Sequence, residues 1–240
     1  INFACGRCDA CAQNLERHCP TRRVMGIDGA DGAIAELVAV PIENLHRVPD
    51  TLPDERAVFV EPLAAAFEIP AQIAIEPDVR CIVLGDGKLG LLVAQVLHAA
   101  GARVTALGHH DAKLAVLARR GIATARAEAF AGERAPLVVE ATGSVAGFRR
   151  AVALTQPRGT LVLKSTVAAH EPLDLAPLVI HEIQVIGSRC GPFPPALRAL
   201  EHGDVGVDAL VTARVPLARA EQALSRASER GALKVLVDCG

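Results

Sequence analysis

The chain contains no tryptophan and no tyrosine, and only six phenylalanines and one methionine among its 240 residues. A mechanism that needs a tyrosine general acid is therefore closed to it, which removes the short-chain and aldo-keto groups of nicotinamide oxidoreductases. There is also no apolar run of about 18 residues to span a bilayer, and no secretory signal segment. The net charge of -2 offers no basic field for a nucleic-acid backbone. What is left is a chain that is 51% hydrophobic, long enough to bury a core, and suited to a small-molecule partner rather than to membrane or nucleic acid. Cytoplasm is the default compartment.

Four of the seven cysteines fall in one short segment, Cys5, Cys8, Cys11 and Cys19. Thiolates converging from so short a loop can close a tetrahedral shell around Zn2+, and a shell with no open position is structural rather than catalytic. Two disulfides are the alternative, but they suit small secreted domains with little core of their own. The other three cysteines, Cys81, Cys190 and Cys239, stand singly, and zinc is the better reading. His18, beside Cys19, reads as a surface residue because four sulfurs already fill the shell.

The middle of the chain alternates short apolar runs with helical stretches. Strands are expected over 80–84, 103–107, 136–139 and 160–163 and at Val185-Ile186, with helices over 91–100, 112–120 and 145–154, later 193–202, and an amphipathic one over 218–230. Strands alternating with helices predict a doubly wound parallel sheet covered on both faces.

At the first strand-to-helix turn stands Gly85-Asp86-Gly87-Lys88-Leu89-Gly90. Gly85 allows the tight turn, Gly87 lets backbone approach a pyrophosphate, and Gly90 lets helix and strand pack closely, while the helix N-terminus offers unpaired N–H groups. This places a dinucleotide at Gly85, Gly87, Lys88, Leu89 and Gly90. The end of the second strand selects the coenzyme, since an acid there accepts from the adenosine ribose and repels a 2'-phosphate. The expected acid position is Gly108. Asp111 comes three residues later and reads as a helix N-cap. With Gly108 making room and His109, His110 and Lys113 close by as phosphate partners, the pattern favours NADP and leaves NAD open.

Taken together, the cysteine loop, Glu61-Pro62-Leu63, Gly-Asp-Gly-Lys-Leu-Gly, Glu140-Ala141-Thr142-Gly143 and Gly231-Ala232-Leu233-Lys234-Val235 resemble the zinc-dependent medium-chain dehydrogenase/reductases over essentially the whole chain. The Glu-Pro-Leu segment looks like the polyol and threonine dehydrogenase branch. The resemblance implies a Rossmann domain over about 78–191, inserted in a GroES-like β-rich catalytic domain of which residues 1–77 carry the zinc lobe and 192–240 form the return. Pro and Gly punctuation at Pro77 and at Gly191 to Pro195 agrees with these breaks. The resemblance further implies hydride transfer between an alcohol or polyol and NADP or NAD, a catalytic as well as a structural zinc, and a homo-oligomer, dimer or tetramer.

One departure from the family pattern bears on activity. The chain begins at Ile1, four residues before Cys5, whereas the family's catalytic-zinc cysteine and Gly-His-Glu segment precede the lobe; the sequence reads as N-terminally truncated and inactive alone. Glu61 is then the remaining candidate for the catalytic zinc, against a plain capping glutamate. Thr142, Lys164 with Ser165, and Arg189 hold strand-end positions where the nicotinamide half would lie, although Lys164 and Arg189 read equally well as surface charges. His46 reads as exposed, and Glu36, Asp50 and Asp54 as solvated acids. A zinc-stabilised dinucleotide-binding protein without turnover, a sensor or structural subunit, is the alternative function.

Overall fold

The computed structural model describes residues 1–166 and 172–240, which divide into two compact units, Ile1–Val48 with Leu210–Gly240, and Pro49–Ala209. The first unit opens with β1 (Asn2–Phe3), followed by α1 (Asp9–Ala12), β2 (Arg23–Met25) and β3 (Gly29–Ala30). Strand β1 runs antiparallel to β2, and β2 parallel to β3.

The second unit begins with two helices, α2 (Asp54–Ala57) and α3 (Val60–Gln72). A regular alternation follows: β4 (Arg80–Leu84), α4 (Lys88–Ala99), β5 (Arg103–Gly108), α5 (Asp111–Ala118), β6 (Ala123–Arg126), β7 (Ala135–Glu140), α6 (Val145–Leu154), β8 (Thr155–Leu163), α7 (Ala176–Ile180), β9 (Gln184–Gly187) and α8 (Phe193–His202). The first unit is completed by β10 (Val211–Pro216), α9 (Ala220–Ala227) and β11 (Lys234–Asp238), the two strands pairing in parallel.

Six strands form one sheet in the order β6-β5-β4-β7-β8-β9, every neighbouring pair parallel. Numbered within the sheet this is 3-2-1-4-5-6, the doubly wound dinucleotide-binding order, whose direction of winding reverses beside β4. Cys81 to Leu84 and Leu137 to Glu140 are buried, as expected of strands covered on both faces. Ile82, Leu107, Val138 and Leu161 pack with Ala151 and Val152 of α6 into one apolar cluster. The expected strands and helices are present, their ends differing by no more than five residues. Among the elements without a local signal are β6, whose Ala-Thr-Ala-Arg sequence has no apolar run, and α3, where Glu61-Pro62-Leu63 lies in the first helical turn. Proline costs little in a first turn, since the N–H it lacks would have no helical partner there.

Helices α3 and α8, which the breaks at 77 and 191 assign to the flanking catalytic part, pack in the sheet-bearing unit, α3 against both α4 and α8. Backbone approach makes this possible: a Cβ on Gly191 would stand 1.9 Å from the Ala64 carbonyl oxygen. Helix α8 carries Pro194 and Pro195 in its first turn and stops at Gly203 in the left-handed region at φ 77, following the proline-first, glycine-last asymmetry of helices.

Helix α4 is buried along almost its whole length, Gln95 included at 1% exposure. That amide is satisfied: its Nε2 donates to the Gly206 carbonyl at 3.1 Å, and its Oε1 accepts from the Gly206 N–H at 2.8 Å. It thereby holds the loop after α8 by a two-pronged bond. Gln95→Leu keeps the bulk and removes both partners, so it should lower unfolding free energy by about 1–3 kcal/mol. Urea titration checks this, and stability equal to the parent would contradict it.

Candidate coenzyme crevice and zinc lobe

In the first unit, the ligand atoms of Cys5, Cys8, Cys11 and Cys19 all lie within 4.8 Å of one another. Cys8 caps the N-terminus of the single turn α1, which presents Cys11 beside it with Sγ to Sγ at 3.5 Å. The Cys5 backbone N–H donates to Cys19 Sγ at 3.4 Å. All seven cysteines are free thiols, and 3.5 Å is far beyond a disulfide bond of about 2.05 Å. The Arg7 backbone N–H beside Cys5 pulls its thiol down to about 6, while burial pushes Cys11 up to about 11. Four adjacent sulfurs cannot all ionise without a compensating cation. Zinc meets that need and matches the count and type of donor. His18 is exposed, as expected.

The glycine turn of the second unit is stitched to both neighbouring strands. The Gly85 N–H donates to the Leu107 carbonyl of β5 at 2.9 Å, and the Ala141 N–H beyond β7 donates to Leu84 at 2.8 Å. Gly85 takes φ 116, and a Cβ there would meet the Ala141 carbonyl oxygen at 2.4 Å. A Cβ on Gly90 would meet the Gly85 carbonyl oxygen at 2.0 Å. Gly87 is different: it caps α4 at φ -72 and ψ 170, and a Cβ on it would have nothing within 4 Å. It is bare backbone facing open space at a helix N-terminus whose first turn has no acid. Such an end is a ready anion site.

A cavity of about 440 Å³ lies along this turn, lined by Gly85, Asp86, Gly87, His109, Lys113, Glu128 and Thr142 among others. Five of the expected coenzyme residues (Gly85, Gly87, His109, Lys113 and Thr142) thus come to one crevice at the carboxyl ends of β4, β5 and β7. Buried Glu140 fixes its far wall, accepting at 2.6 Å from both the N–H and the hydroxyl of Thr142. Ser165 Oγ accepts from the Gly143 N–H at 2.8 Å. Lys88, Leu89 and Gly90 form the first turn of α4. Lys164 does not line this cavity; its Nζ donates to the Ala65 carbonyl of α3 at 2.6 Å and to Ser188 Oγ at 3.1 Å. Arg189 is exposed beyond β9.

The space at Gly108 is not free, a correction to the reading that it makes room. A Cβ on Gly108 would stand 2.5 Å from Asp86 Cβ and 2.6 Å from Asp86 Oδ2. Asp86, passed over as a spacer inside the glycine motif, is 8% exposed. Its Oδ2 accepts from the His109 N–H at 2.8 Å, the His110 N–H at 2.7 Å and His110 Nδ1 at 2.9 Å. Burial raises this carboxyl, but the bonds from the His110 side chain and from the His110 and His109 backbone outweigh it and hold the group below the ordinary aspartate value. Opposite, His109 Nδ1 lies 2.7 Å from Glu128 Oε1. That bond, with Arg126 nearby, holds Glu128 at about 2. Asp111 is the first residue of α5, whose N-cap is His110.

Glu61 is half-buried in the first turn of α3. Among the described residues, the four cysteines are the sole group of three or more such ligands placed to hold one ion. A catalytic zinc takes three protein ligands, and the described residues around Glu61 do not supply that set.

A zinc-binding dehydrogenase model matches residues 89–202, and an alcohol dehydrogenase GroES-like domain model matches residues 1–50. D-arabitol-phosphate dehydrogenase of Enterococcus avium is 28% identical, over 98% of this chain and 72% of the relative. A sorbitol dehydrogenase of Halalkalibacterium halodurans is likewise 28% identical, over 97% of this chain and 73% of its own length. Among solved structures, a zinc-binding dehydrogenase of Sinorhizobium meliloti bound to NADP superposes with a TM-score of 0.89 at 26% identity, over 98% of this chain and 74% of that one.

The thiol geometry predicts one zinc per chain with four sulfur ligands and no bound water. Cys8→Ser should cut zinc content sharply and loosen the first unit while the sheet-bearing unit keeps its melting transition. Metal analysis with X-ray absorption checks this, and disulfides in place of zinc would contradict it.

Proposed function

We propose, given that this chain belongs to the zinc-dependent medium-chain dehydrogenase/reductase superfamily in its polyol dehydrogenase branch, that the crevice at Gly85 to Gly90 binds a nicotinamide dinucleotide and that the protein is an oxidoreductase passing a hydride between an alcohol or polyol and that coenzyme. The observation that carries the reading is Gly87: backbone with nothing within 4 Å of its missing side chain, at the N-terminus of a helix beside the reversal point of the sheet. Ligands of doubly wound sheets bind at that point.

When bound, the coenzyme supplies the hydride acceptor. The chain's own residues bind and orient. The N–H groups of Lys88, Leu89 and Gly90 at the start of α4 receive the pyrophosphate, and Gly108, His109 and His110 border the adenosine ribose. Thr142, its hydroxyl held by Glu140, and Ser165 lie toward the nicotinamide half. In this reading Lys164 braces α3 against the carboxyl end of β8 from within, and Arg189, exposed beyond β9, is a candidate contact for an anionic substrate group. Glu61 stays a candidate ligand or acid on the substrate side, one residue of the three a catalytic zinc takes. The four-cysteine zinc is structural and holds the loop 5–19.

A small polyol fits the relatives named above. No helix of the described residues is long and apolar enough to cross a membrane. A cytoplasmic setting accords with seven cysteines of which none is joined in a disulfide. A homo-oligomer accords with exposed Leu175, Val179, Ile180 and Val185 beside the edge strand β9.

Valine at position 87 fits the existing backbone, since φ -72 and ψ 170 suit any residue and open space receives its side chain. Gly87→Val should therefore leave the fold intact and weaken NAD or NADP binding by roughly a hundredfold or more, about 3 kcal/mol. Calorimetric titration with circular dichroism checks this. Unchanged affinity in a folded variant would refute the site.

A further inference from the structure

Coenzyme selection in doubly wound folds turns on whether an acid stands at the end of the second strand. This chain has glycine there, yet the position is filled. The side chain of Asp86 lies where a side chain on Gly108 would be, its Cβ 2.5 Å and its carboxylate carbon and Oδ2 2.6–2.7 Å from the ideal Cβ of that residue. We propose that Asp86, delivered from the glycine turn itself, is the residue that selects NAD over NADP, with Glu128 as its second wall. The proposal rests on the reading that the crevice binds a nicotinamide dinucleotide.

Three observations converge on it. The first is that the backbone and imidazole Nδ1 donors at the end of β5, which could hold a 2'-phosphate, are already engaged. The His109 and His110 N–H groups and His110 Nδ1 all meet Asp86 Oδ2 within 2.9 Å, and His109 Nδ1 meets Glu128 Oε1 at 2.7 Å. A second is the sign of the charge at that corner. Asp86 and Glu128 both line the cavity, and both are held in the ionised form by their hydrogen bonds. Lys113 and Arg150 line it too, Arg150 donating to the Phe130 carbonyl at 2.6 Å, but a phosphate drawn to the Lys113 ammonium would face both carboxylates. Arg126 is shared between Asp111 and Glu128, at 3.5 Å from each. The third is acceptor chemistry: an ionised carboxylate can accept from ribose hydroxyls as well as repel a phosphate.

The complementarity of positions 86 and 108 gives the test its design. The full chain is titrated with NAD and with NADP, and the ratio of the two affinities is read. The wild type should bind NAD at least about tenfold more tightly. Asp86→Asn keeps the shape, loses the charge, and should reduce that ratio by roughly tenfold. Asp86→Gly combined with Gly108→Asp returns the acid to the strand end and should restore the NAD preference. Gly108→Asp alone, which forces two side chains into one space, should weaken both coenzymes together. A wild type that binds the two equally, or NADP more tightly, would overturn this inference while leaving the dinucleotide site standing. So would an unchanged ratio in folded Asp86→Asn. If Asp86→Asn does not fold, a double variant that binds without regaining the preference overturns the inference by itself. Binding of neither dinucleotide by the wild type would remove the function proposed above and this inference with it.

Discussion

The sheet-bearing unit depends on one crossing of backbone without side chains. Between β4 and α4 the chain must leave the sheet, turn under the end of β7, and enter a helix that lies directly over the strand just left. Gly85 touches the Ala141 carbonyl on one side and lies under Gly90 on the other, at distances that leave no room for a Cβ. Any side chain at 85 or 90 would push α4 off the sheet, and with it the buried face of α4 and its Gln95 hold on the loop at Gly206. The open backbone of Gly87 follows from that tight turn: with its neighbours drawn inward, the helix N-terminus points at the crevice unobstructed.

The crevice is rigid for a related reason. Two of the strand ends that border it are tied down by a buried or nearly buried carboxylate, Glu140 fixing Thr142 after β7 and Asp86 fixing His109 and His110 after β5. Buried carboxylates are costly unless they accept several hydrogen bonds. Here each accepts at least two, so the desolvation cost is offset and the loops gain defined positions. The zinc lobe solves a similar problem by another route. Residues 5–19 contain one α-helical turn, one 3-10 turn and little core, and four thiols around one cation would supply the order that packing does not.

Much of this architecture was legible from residues alone. The alternation of apolar runs with helical stretches, stopped at Gly101 and Gly121, gave the parallel sheet, and the spacing of Cys5, Cys8, Cys11 and Cys19 brought those thiols to one place, as the structure shows. Strand β6 escaped notice because Ala-Thr-Ala-Arg has no apolar signature and owes its conformation to pairing with β5. Helix α3 was hidden by Pro62, which reads as a breaker unless it falls in a first turn. The packing of α3 against α8 has no local signal; it comes from buried faces matching across more than a hundred residues. Nor does Asp86. Its role arises from the absence of a side chain at Gly108, two positions in separate turns that mean nothing individually. A signal did exist in the combination, a charged residue inside the glycine motif together with a glycine where the strand-end acid belongs.

The central claim, that the crevice around the β4–α4 turn is a nicotinamide dinucleotide site, is tested most directly by amide hydrogen exchange on the intact chain with and without NAD. The account predicts slowed exchange confined to the turn and first helical residues at 85–90, the β5 end at 107–110 and the β7 end at 141–147, with the cysteine loop unchanged. Exchange unaltered in those three segments at saturating NAD, or protection appearing elsewhere in their place, would contradict it.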